Sequence, residues 1–490
     1  MTKFTFSILF LFVSILNLDA ITFDRLEYKK FTPRELQKDI DYLFRKFEEI
    51  HPNIFLNIPK QDAVRLKEEL KNQITLPLTK AEFIKLISPF FMSFVKDGHN
   101  YWYEPFKDEW EYFLLNGGSG FPFEINIEGD KVLIGNSLNN TEQLKGTTIL
   151  DINGIDINII ISKMRTLYNP ECKPFQDIGI ESSFRQWLWV LYHFDREFEI
   201  SYIKNSIDTL KVTVTGIGKS QIERPIEVTD VKNQGTNWAF ELKTIGDSNV
   251  GIITSKAFAG DWDNYIKFLD DCFLKIQDEN VKDLILDFRE NMGGNSKYGD
   301  KLMEYITEKQ YSFFEKIDHK ISREFKQFEK KKLKFKWYNY LYYPIFIRQD
   351  EWRKKIFTSK KGTLIESNYL PQKPKDNRLK FKGDLYLLTS NKTYSSANLF
   401  TAGFKCYNIG TVIGMPTGEP TMFTGDWLKV EMPNTKIGVA ISKRAYILAC
   451  PQDDLNGISP DILVTESSDD KVKGIDTVLK YTFNLILNKD

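Results

Sequence analysis

Residues 387–400 read LLTSNKTYSSANLF: an apolar run, a polar turn and a second apolar stretch that begins at two serines. This pattern predicts a buried strand, a short turn and a helix that starts at Ser395 and Ser396. A serine at a helix start lies beside free backbone N–H groups and the positive end of the helix dipole, where a developing oxyanion is stabilised. Taken alone, the stretch is more commonly explained by a serine that caps the helix.

A second stretch, LILDFRENMGG at residues 284–294, places two glycines directly after another predicted buried strand. Gly293 and Gly294 allow close approach of the backbone to a ligand, so their amides are candidate oxyanion donors. A plain Gly-Gly turn is the ordinary alternative.

The third feature is Asp97-Gly98-His99, just past an apolar helical pattern. His99 is one of only four histidines, and a free imidazole, with a pKa of about 6.5, suits a general base near neutral pH. A purely structural histidine is the alternative.

The periodicity of the apolar residues divides the chain into an α+β multidomain protein. Two capping boxes and helical spacing predict a helical domain over residues 21–113. Alternating strands, a hairpin signal and an Asn-Gly turn predict a β-rich module over residues 114–216, and its turn resembles that in the carboxyl half of a PDZ-like module. Strands alternating with helices over residues 217–490 predict an α/β core.

Residues 311–382 interrupt that core with a basic, aromatic insertion. Long insertions in compact domains tend to be functional loops, so we expect a lid over the cleft that can be deleted with the fold intact. Binding of acidic polymers by the insertion is an alternative, and a solvated helix with a partly buried aromatic face is the ordinary explanation.

Composition excludes several classes of protein. Lys+Arg and Asp+Glu are both 67, and this balance argues against nucleic acid as a partner. Residues 1–20 carry a lysine, an apolar run and Ala20, which indicate a secretory signal peptide cleaved near Ala20. A short membrane anchor is the alternative, but the run is shorter than the roughly 20 residues that span a bilayer. No later segment reaches that length, so the mature chain is expected outside the cytosol without an integral membrane segment.

The four cysteines, Cys172, Cys272, Cys406 and Cys450, lack the paired spacing of a zinc site. An oxidising compartment permits a disulfide, whereas Cys272 and Cys406 on apolar helix faces suit buried free thiols. The sequence leaves both possibilities open, and no metal or cofactor is expected.

Together the motifs resemble the tail-specific, or C-terminal processing, serine protease family, which includes tricorn-type core proteases. VGIITSKAF, LILDFRENMGG, LLTSNKTYSSANLF, TVIGMPTG and NGISPDI stand in family order between residues 250 and 462. Upstream, FEEIHPNIF and FVKDGHNYW are similar to the amino-terminal domain of secreted bacterial members. The resemblance implies a ClpP/crotonase-like protease core, a peptide or protein substrate, and a secreted or periplasmic location.

The resemblance also implies roles for single residues. Ser395, three residues before Asn398 at the usual Glu position, becomes the nucleophile. The amides of Ser396 and of Gly293 or Gly294 become the oxyanion donors, while Asp287 and Arg289 brace the turn.

The lysine of Ser/Lys members is missing, because Pro420 stands at its position in GMPTGEPTMFTG. Tricorn-type members use an upstream histidine helped by a carboxylate, which matches His99 and Asp454, or its neighbour Asp453. The sequence thus predicts a secreted serine endopeptidase. The alternative is a non-catalytic binding protein that retains the protease fold.

Overall fold

The structure is a computed structural model that describes residues 27–93, 96–138, 141–204, 208–223, 237–333, 350–452, 455–466, 470 and 473–489. The proposed signal peptide lies outside these residues.

The described helices, numbered along the chain, are α1 Pro33–Ile50, α2 Lys60–Gln73, α3 Lys80–Ser93, α4 Lys107–Leu115, α5 Ile157–Arg165, α6 Lys173–Tyr192, α7 Lys219–Ile222, α8 Trp262–Asp278, α9 Lys297–Ile306, α10 Arg323–Lys332, α11 Glu351–Thr358, α12 Ser396–Cys406 and α13 Thr477–Leu487. The described strands are β1 Tyr101–Tyr103, β2 Phe123–Glu128, β3 Lys131–Ser137, β4 Thr148–Ile152, β5 Ile155–Asp156, β6 Glu197–Lys204, β7 Asp208–Thr215, β8 Trp238–Ile245, β9 Ser248–Ser255, β10 Asp283–Asp287, β11 Phe314–Lys320, β12 Leu364–Asn368, β13 Asp384–Thr389, β14 Thr411–Gly414, β15 Met422–Glu431, β16 Gly438–Leu448 and β17 Ile462–Leu463.

The first sheet forms the α/β core. Its strand order is β17-β14-β13-β10-β9-β8, and all neighbours pair in parallel except β8 and β9. The central strands are continuous apolar runs, as expected of parallel strands covered on both faces. The loops after β10 and β13, which carry the glycine pair and the two serines, therefore meet at one edge of the sheet. The predicted α+β organisation is confirmed.

The second sheet, β2-β3-β4-β6-β7 with β5 on β4, is covered by α5 and α6. The predicted hairpin is present as β2 and β3. The boundary predicted at residue 114 falls inside α4, so the linker between the two units starts slightly later. The likeness of this unit, called the middle module below, to a PDZ domain stays a prediction.

The third sheet joins strands from distant parts of the chain around β16. β15 pairs along one edge of β16, while β1 and then β11 pair along the other edge, and β12 follows β11. Both β11 and β12 come from the insertion at residues 311–382. The expectation that the insertion can be deleted with the fold intact is therefore wrong, because deletion removes two of the five strands.

The helical domain packs on the β15–β16 hairpin through one shared apolar core. Phe47 of α1, Phe91 of α3, and Val430 and Val439 of the hairpin belong to the same buried cluster. At the hairpin tip, the buried carboxylate of Asp39 accepts hydrogen bonds from the backbone amides of residues 434 and 435. Because a buried carboxylate is stable only when such donors satisfy it, these contacts fix how the domain sits on the core.

The cysteines divide into one pair and two buried thiols. Cys406, at the end of α12, forms a disulfide with Cys450, 44 residues further on, while Cys172 and Cys272 are free. Of the two possibilities open from sequence, Cys406 is bonded and Cys272 remains a core thiol.

None of the described helices has the length and apolar character required to cross a bilayer.

We expect loss of the disulfide to lower the free energy of unfolding by about 3 kcal/mol, because the bond restricts the unfolded chain. The measurement is guanidinium unfolding of the wild type and of the double variant Cys406→Ala, Cys450→Ala. As a control, reductant should lower the unfolding midpoint of the wild type and leave that of the double variant unchanged. Equal stabilities of oxidised and reduced wild type would contradict the expectation.

Candidate active site

Ser395 lies at the N-terminus of α12 in a strained backbone conformation. Its φ is +52° and its ψ is −121°, a region that non-glycine residues seldom occupy. Two hydrogen bonds hold the strained turn: Tyr394 N–H donates to the carbonyl of Asn291 at 3.1 Å, and Ser395 N–H donates to Oε2 of Glu419 at 3.1 Å. The hydroxyl is thereby presented above the carboxyl edge of the core sheet.

His99 reaches this serine from the helical domain. The residue lies two positions before β1, whose pairing with β16 begins at Tyr101. Nε2 of His99 lies 3.1 Å from Oγ of Ser395, within hydrogen-bond distance. The rings of Tyr394 and Phe423 stack on the imidazole, with centroids 4.9 and 5.9 Å away, and only 8% of His99 is exposed. The imidazole is therefore fixed in place and shielded from water.

A carboxylate lies on the other side of the imidazole. Oε1 of the fully buried Glu419 is 3.2 Å from Nδ1 of His99, and the hydroxyl of Tyr394 is also 3.2 Å from Nδ1. Burial by itself would lower the pKa of His99, but the charge of Glu419, assisted by Asp97, raises it to about 9. Burial raises the pKa of Glu419, against the opposing effect of His99. Glu419 thus stabilises the imidazolium form of His99.

Asp97 anchors the turn that carries His99. Its Oδ1 accepts the backbone N–H of His99 at 2.7 Å, and its Oδ2 accepts the side-chain amide of Asn100 at 2.5 Å. Nε2 of His51 lies 3.3 Å from the same Oδ2, which also accepts the hydroxyl of Thr424. Burial opposes ionisation, but His51 and these donors lower the pKa of Asp97 below its ordinary value. This charged, fully bonded aspartate holds the turn rigidly.

The glycine turn after β10 packs directly against Ser395. Gly293 has φ +98°, and a Cβ there would lie 2.7 Å from Cβ of Ser395; Gly294 has φ +133°, and its Cβ would lie 2.3 Å from the carbonyl of Phe258. Only glycine fits either position. The amide of Gly293 already donates to the side chain of Asn291 at 2.9 Å.

Of the three predicted oxyanion donors, Gly293 already has an acceptor for its backbone N–H, whereas among the described residues Gly294 and Ser396 do not. The hydroxyl of Ser396 donates to the carbonyl of Gly294 at 2.6 Å. That bond ties the helix start to the glycine turn, so the two amides come from adjoining segments.

Arg289 and Lys392, two further residues considered from the sequence, lie beside the site, and their side chains pair with carboxylates rather than with Ser395. Arg289 binds Asp287 and Asp476 and braces the turn. The nearest lysine, Lys392, pairs with Glu290 at 2.9 Å on the surface.

Asp454 and Asp453 lie outside the described residues, so their proposed role stays a prediction. The carboxylate that does contact His99 is Glu419, which the sequence reasoning missed. Its only signal was its position beside Pro420, where Ser/Lys relatives carry the lysine. Asn398, at the usual Glu position, donates to the carbonyl of Pro420 at 2.9 Å and so supports the segment that carries Glu419.

Within the described part of the chain, no group of three or more His, Cys, Asp or Glu side chains could hold a metal ion.

Comparison with known proteins agrees with this arrangement. Peptidase family S41 matches residues 249–464, which include the glycine turn, Ser395 and Glu419. No curated protein sequence matches the chain. The solved structure of mature CPAF complexed with lactacystin is 12% identical, with a TM-score of 0.60 over 93% of this chain and 98% of that one. A CPAF mutant, also 12% identical, gives a TM-score of 0.64 over 93% of this chain and 96% of that one.

At such low identity, the likeness to CPAF shows a shared fold that extends over the helical domain and the middle module as well as the core. The match to peptidase family S41 indicates that the core has the sequence features of a peptidase. Residues 249–464 thus form a peptidase family S41 domain, and this match supports a serine-type peptidase of the tail-specific, or C-terminal processing, kind.

Proposed function

We propose that the chain is a secreted serine endopeptidase that cleaves peptide bonds through an acyl-enzyme on Ser395. His99 is the general base, and Glu419 orients it. The observation that carries the proposal is the 3.1 Å contact between Oγ of Ser395 and Nε2 of His99. A serine hydroxyl is a weak nucleophile at neutral pH, and a base within hydrogen-bond distance is the feature that activates it.

In the proposed reaction, Oγ of Ser395 attacks the carbonyl carbon of the substrate while Nε2 of His99 accepts the hydroxyl proton. The imidazolium then donates this proton to the amine nitrogen, the C–N bond breaks, and the acyl group remains on Ser395. Water, deprotonated by the same imidazole, hydrolyses the ester and regenerates the serine. Throughout, Glu419 stabilises the positive charge on His99 from 3.2 Å away.

The oxyanion of the tetrahedral intermediate is proposed to bind the amides of Gly294 and Ser396. Both belong to the segments that adjoin Ser395, and Gly293 is excluded as a donor because its amide already bonds to Asn291. Preorganised donors of this kind need no reorganisation when charge develops.

An extended peptide is proposed to enter between the middle module and the core. A cleft of about 730 Å³ lies there, lined by the β2–β3 turn, the start of α6 and the carboxyl ends of β9, β10 and β13. Residues 390–392, in the loop that leads to Ser395, form part of its wall. The position of the cleft supports a role of the module in presenting the substrate.

Secretion is proposed from the N-terminal sequence and from the cysteines. The apolar run that ends near Ala20 has the form of a signal peptide, and the Cys406–Cys450 disulfide is typical of oxidising compartments.

We expect Ser395→Ala to abolish labelling by a fluorophosphonate probe and to lower peptide turnover by about a thousandfold or more, because it removes the nucleophile. The matched control is Ser396→Ala, which keeps the backbone amide and should retain labelling. Labelling and turnover of both variants are measured alongside circular dichroism. If only Ser396→Ala loses labelling, the nucleophile is assigned one residue too early. If Ser395→Ala keeps its turnover, the proposed mechanism fails.

The raised pKa of His99 predicts how kcat/KM depends on pH. Because the pKa of His99 is raised to about 9 and only the neutral imidazole accepts a proton, kcat/KM should rise with pH until about 9. Glu419→Gln removes the charge responsible and should shift this midpoint down by about one unit or more, with a lower maximal rate. His99→Ala should lose orders of magnitude in turnover, while Lys392→Ala should lose little. A midpoint that Glu419→Gln leaves unchanged would contradict the assigned contact.

A further inference from the structure

The turn that carries His99 rests on the middle module as well as on the core. Residues 168–171, between α5 and α6, run alongside it. The backbone N–H of Asp97 donates to the carbonyl of Asn169 at 3.0 Å, and the hydroxyl of Tyr168 donates to the carbonyl of Gly98 at 3.3 Å. The base is thus held by a segment from a different structural unit.

Glu171 makes the third contact of this segment. Its Oε2 accepts the backbone N–H of Gly98 at 3.0 Å. Its Oε1 is buried and has no hydrogen-bond partner among the described residues, although the residue as a whole is partly exposed. No step of the proposed reaction uses this carboxyl group, so its presence beside the base needs another explanation.

Burial and the surrounding charges together set the protonation state of the Glu171 carboxyl group. The titratable groups that act on it or feel its charge are Asp97 and His99 from the turn, Glu419 from the core, and the phenols of Tyr168 and Tyr394. Burial raises the pKa of Glu171 well above its ordinary value, and the negative charges of Asp97 and Glu419 add to the effect.

Two neighbouring carboxylates each face an imidazole ring, while the Glu171 carboxyl group is contacted by backbone amides, those of Gly98 and of Glu171 itself. Asp97 has the His51 ring and several donors, and Glu419 has the His99 ring and the amide of Ser395. A further buried carboxylate without an opposite charge of its own would be strongly disfavoured, because burial removes its hydration. Such a charge is also among those that raise the pKa of His99, so a neutral Glu171 leaves His99 a base at lower pH than a charged one would.

We propose that Glu171 is a positioning residue that holds His99 against Ser395 through the amide of Gly98, and that it does so as a neutral carboxylic acid. The proposal rests on the proposed function, since it concerns the same base. A neutral carboxylic acid keeps one oxygen that accepts the backbone N–H of Gly98, and it places no negative charge beside His99.

The test compares Glu171→Gln, a neutral isostere, with Glu171→Ala, which removes the acceptor. Glu171→Gln should keep kcat within about threefold of the wild type, and Glu171→Ala should lower kcat by about tenfold or more with KM little changed, because a misplaced base slows the chemical step. The matched control is Glu197→Ala, at an exposed position of the same module outside the proposed substrate cleft, which should match the wild type.

A second measurement does not depend on turnover. With only four histidines in the chain, the His99 ring can be titrated by NMR after histidine labelling, with His99→Ala assigning its signal. The pKa of His99 in Glu171→Gln should equal that of the wild type, whereas Glu419→Gln should lower it. Should Glu171→Ala itself misfold, this titration of Glu171→Gln still decides the charge state.

Two results would overturn the proposal. One is wild-type kcat in folded Glu171→Ala, which would remove the positioning role. The other is a fall of about one unit or more in the His99 pKa of Glu171→Gln, which would show that Glu171 is charged. Neither result is confused with failure of the proposed function, because that failure is read from turnover retained by Ser395→Ala.

Discussion

The pairing of strand β16 on both of its edges is the constraint on which the site depends. β1 lies along one edge and begins two residues after His99; β15 lies along the other and begins three residues after Glu419. Both strands run antiparallel to β16, so their backbone hydrogen bonds fix on one sheet the two segments that carry His99 and Glu419. A slip of either register by one residue would reverse the faces of that strand and separate the two side chains.

The cost of this arrangement is electrostatic. Three carboxyl groups, those of Asp97, Glu171 and Glu419, surround one imidazole in a region with little access to water. Each charge there must be matched by a donor or an opposite charge, and the His51–Asp97 and His99–Glu419 pairs do this. The strained backbone of Ser395 is maintained by the same network, because its amide donates to Glu419. The pKa of His99 and the strained backbone of Ser395 thus both depend on the buried carboxylate of Glu419.

Local pattern was enough to predict much of the fold. The capped helices, the parallel core strands and the strand–turn–helix at Ser395 each depend on neighbours in sequence, so their signals survive in a single chain. The pairing of β1 and β11 with β16 did not follow from the sequence, because long stretches of chain separate these strands from β16 and no local pattern marks their pairing. For the same reason the local pattern predicts neither that the insertion supplies two strands of the third sheet nor that Glu419 lies beside His99. A carboxylate becomes a partner of His99 only once β1 and β15 flank the same strand.

The proposed base and nucleophile, His99 and Ser395, lie 296 residues apart along the chain. Because synthesis proceeds from the N-terminus, a growing chain exposes His99 long before Ser395, Glu419 or the cysteine that closes the disulfide exists. A fragment from either end holds one half of the pair and lacks the other. The long loop that must close also makes assembly of the site a late folding event. The proposed site therefore exists only in the finished molecule, after both halves of the chain have folded together.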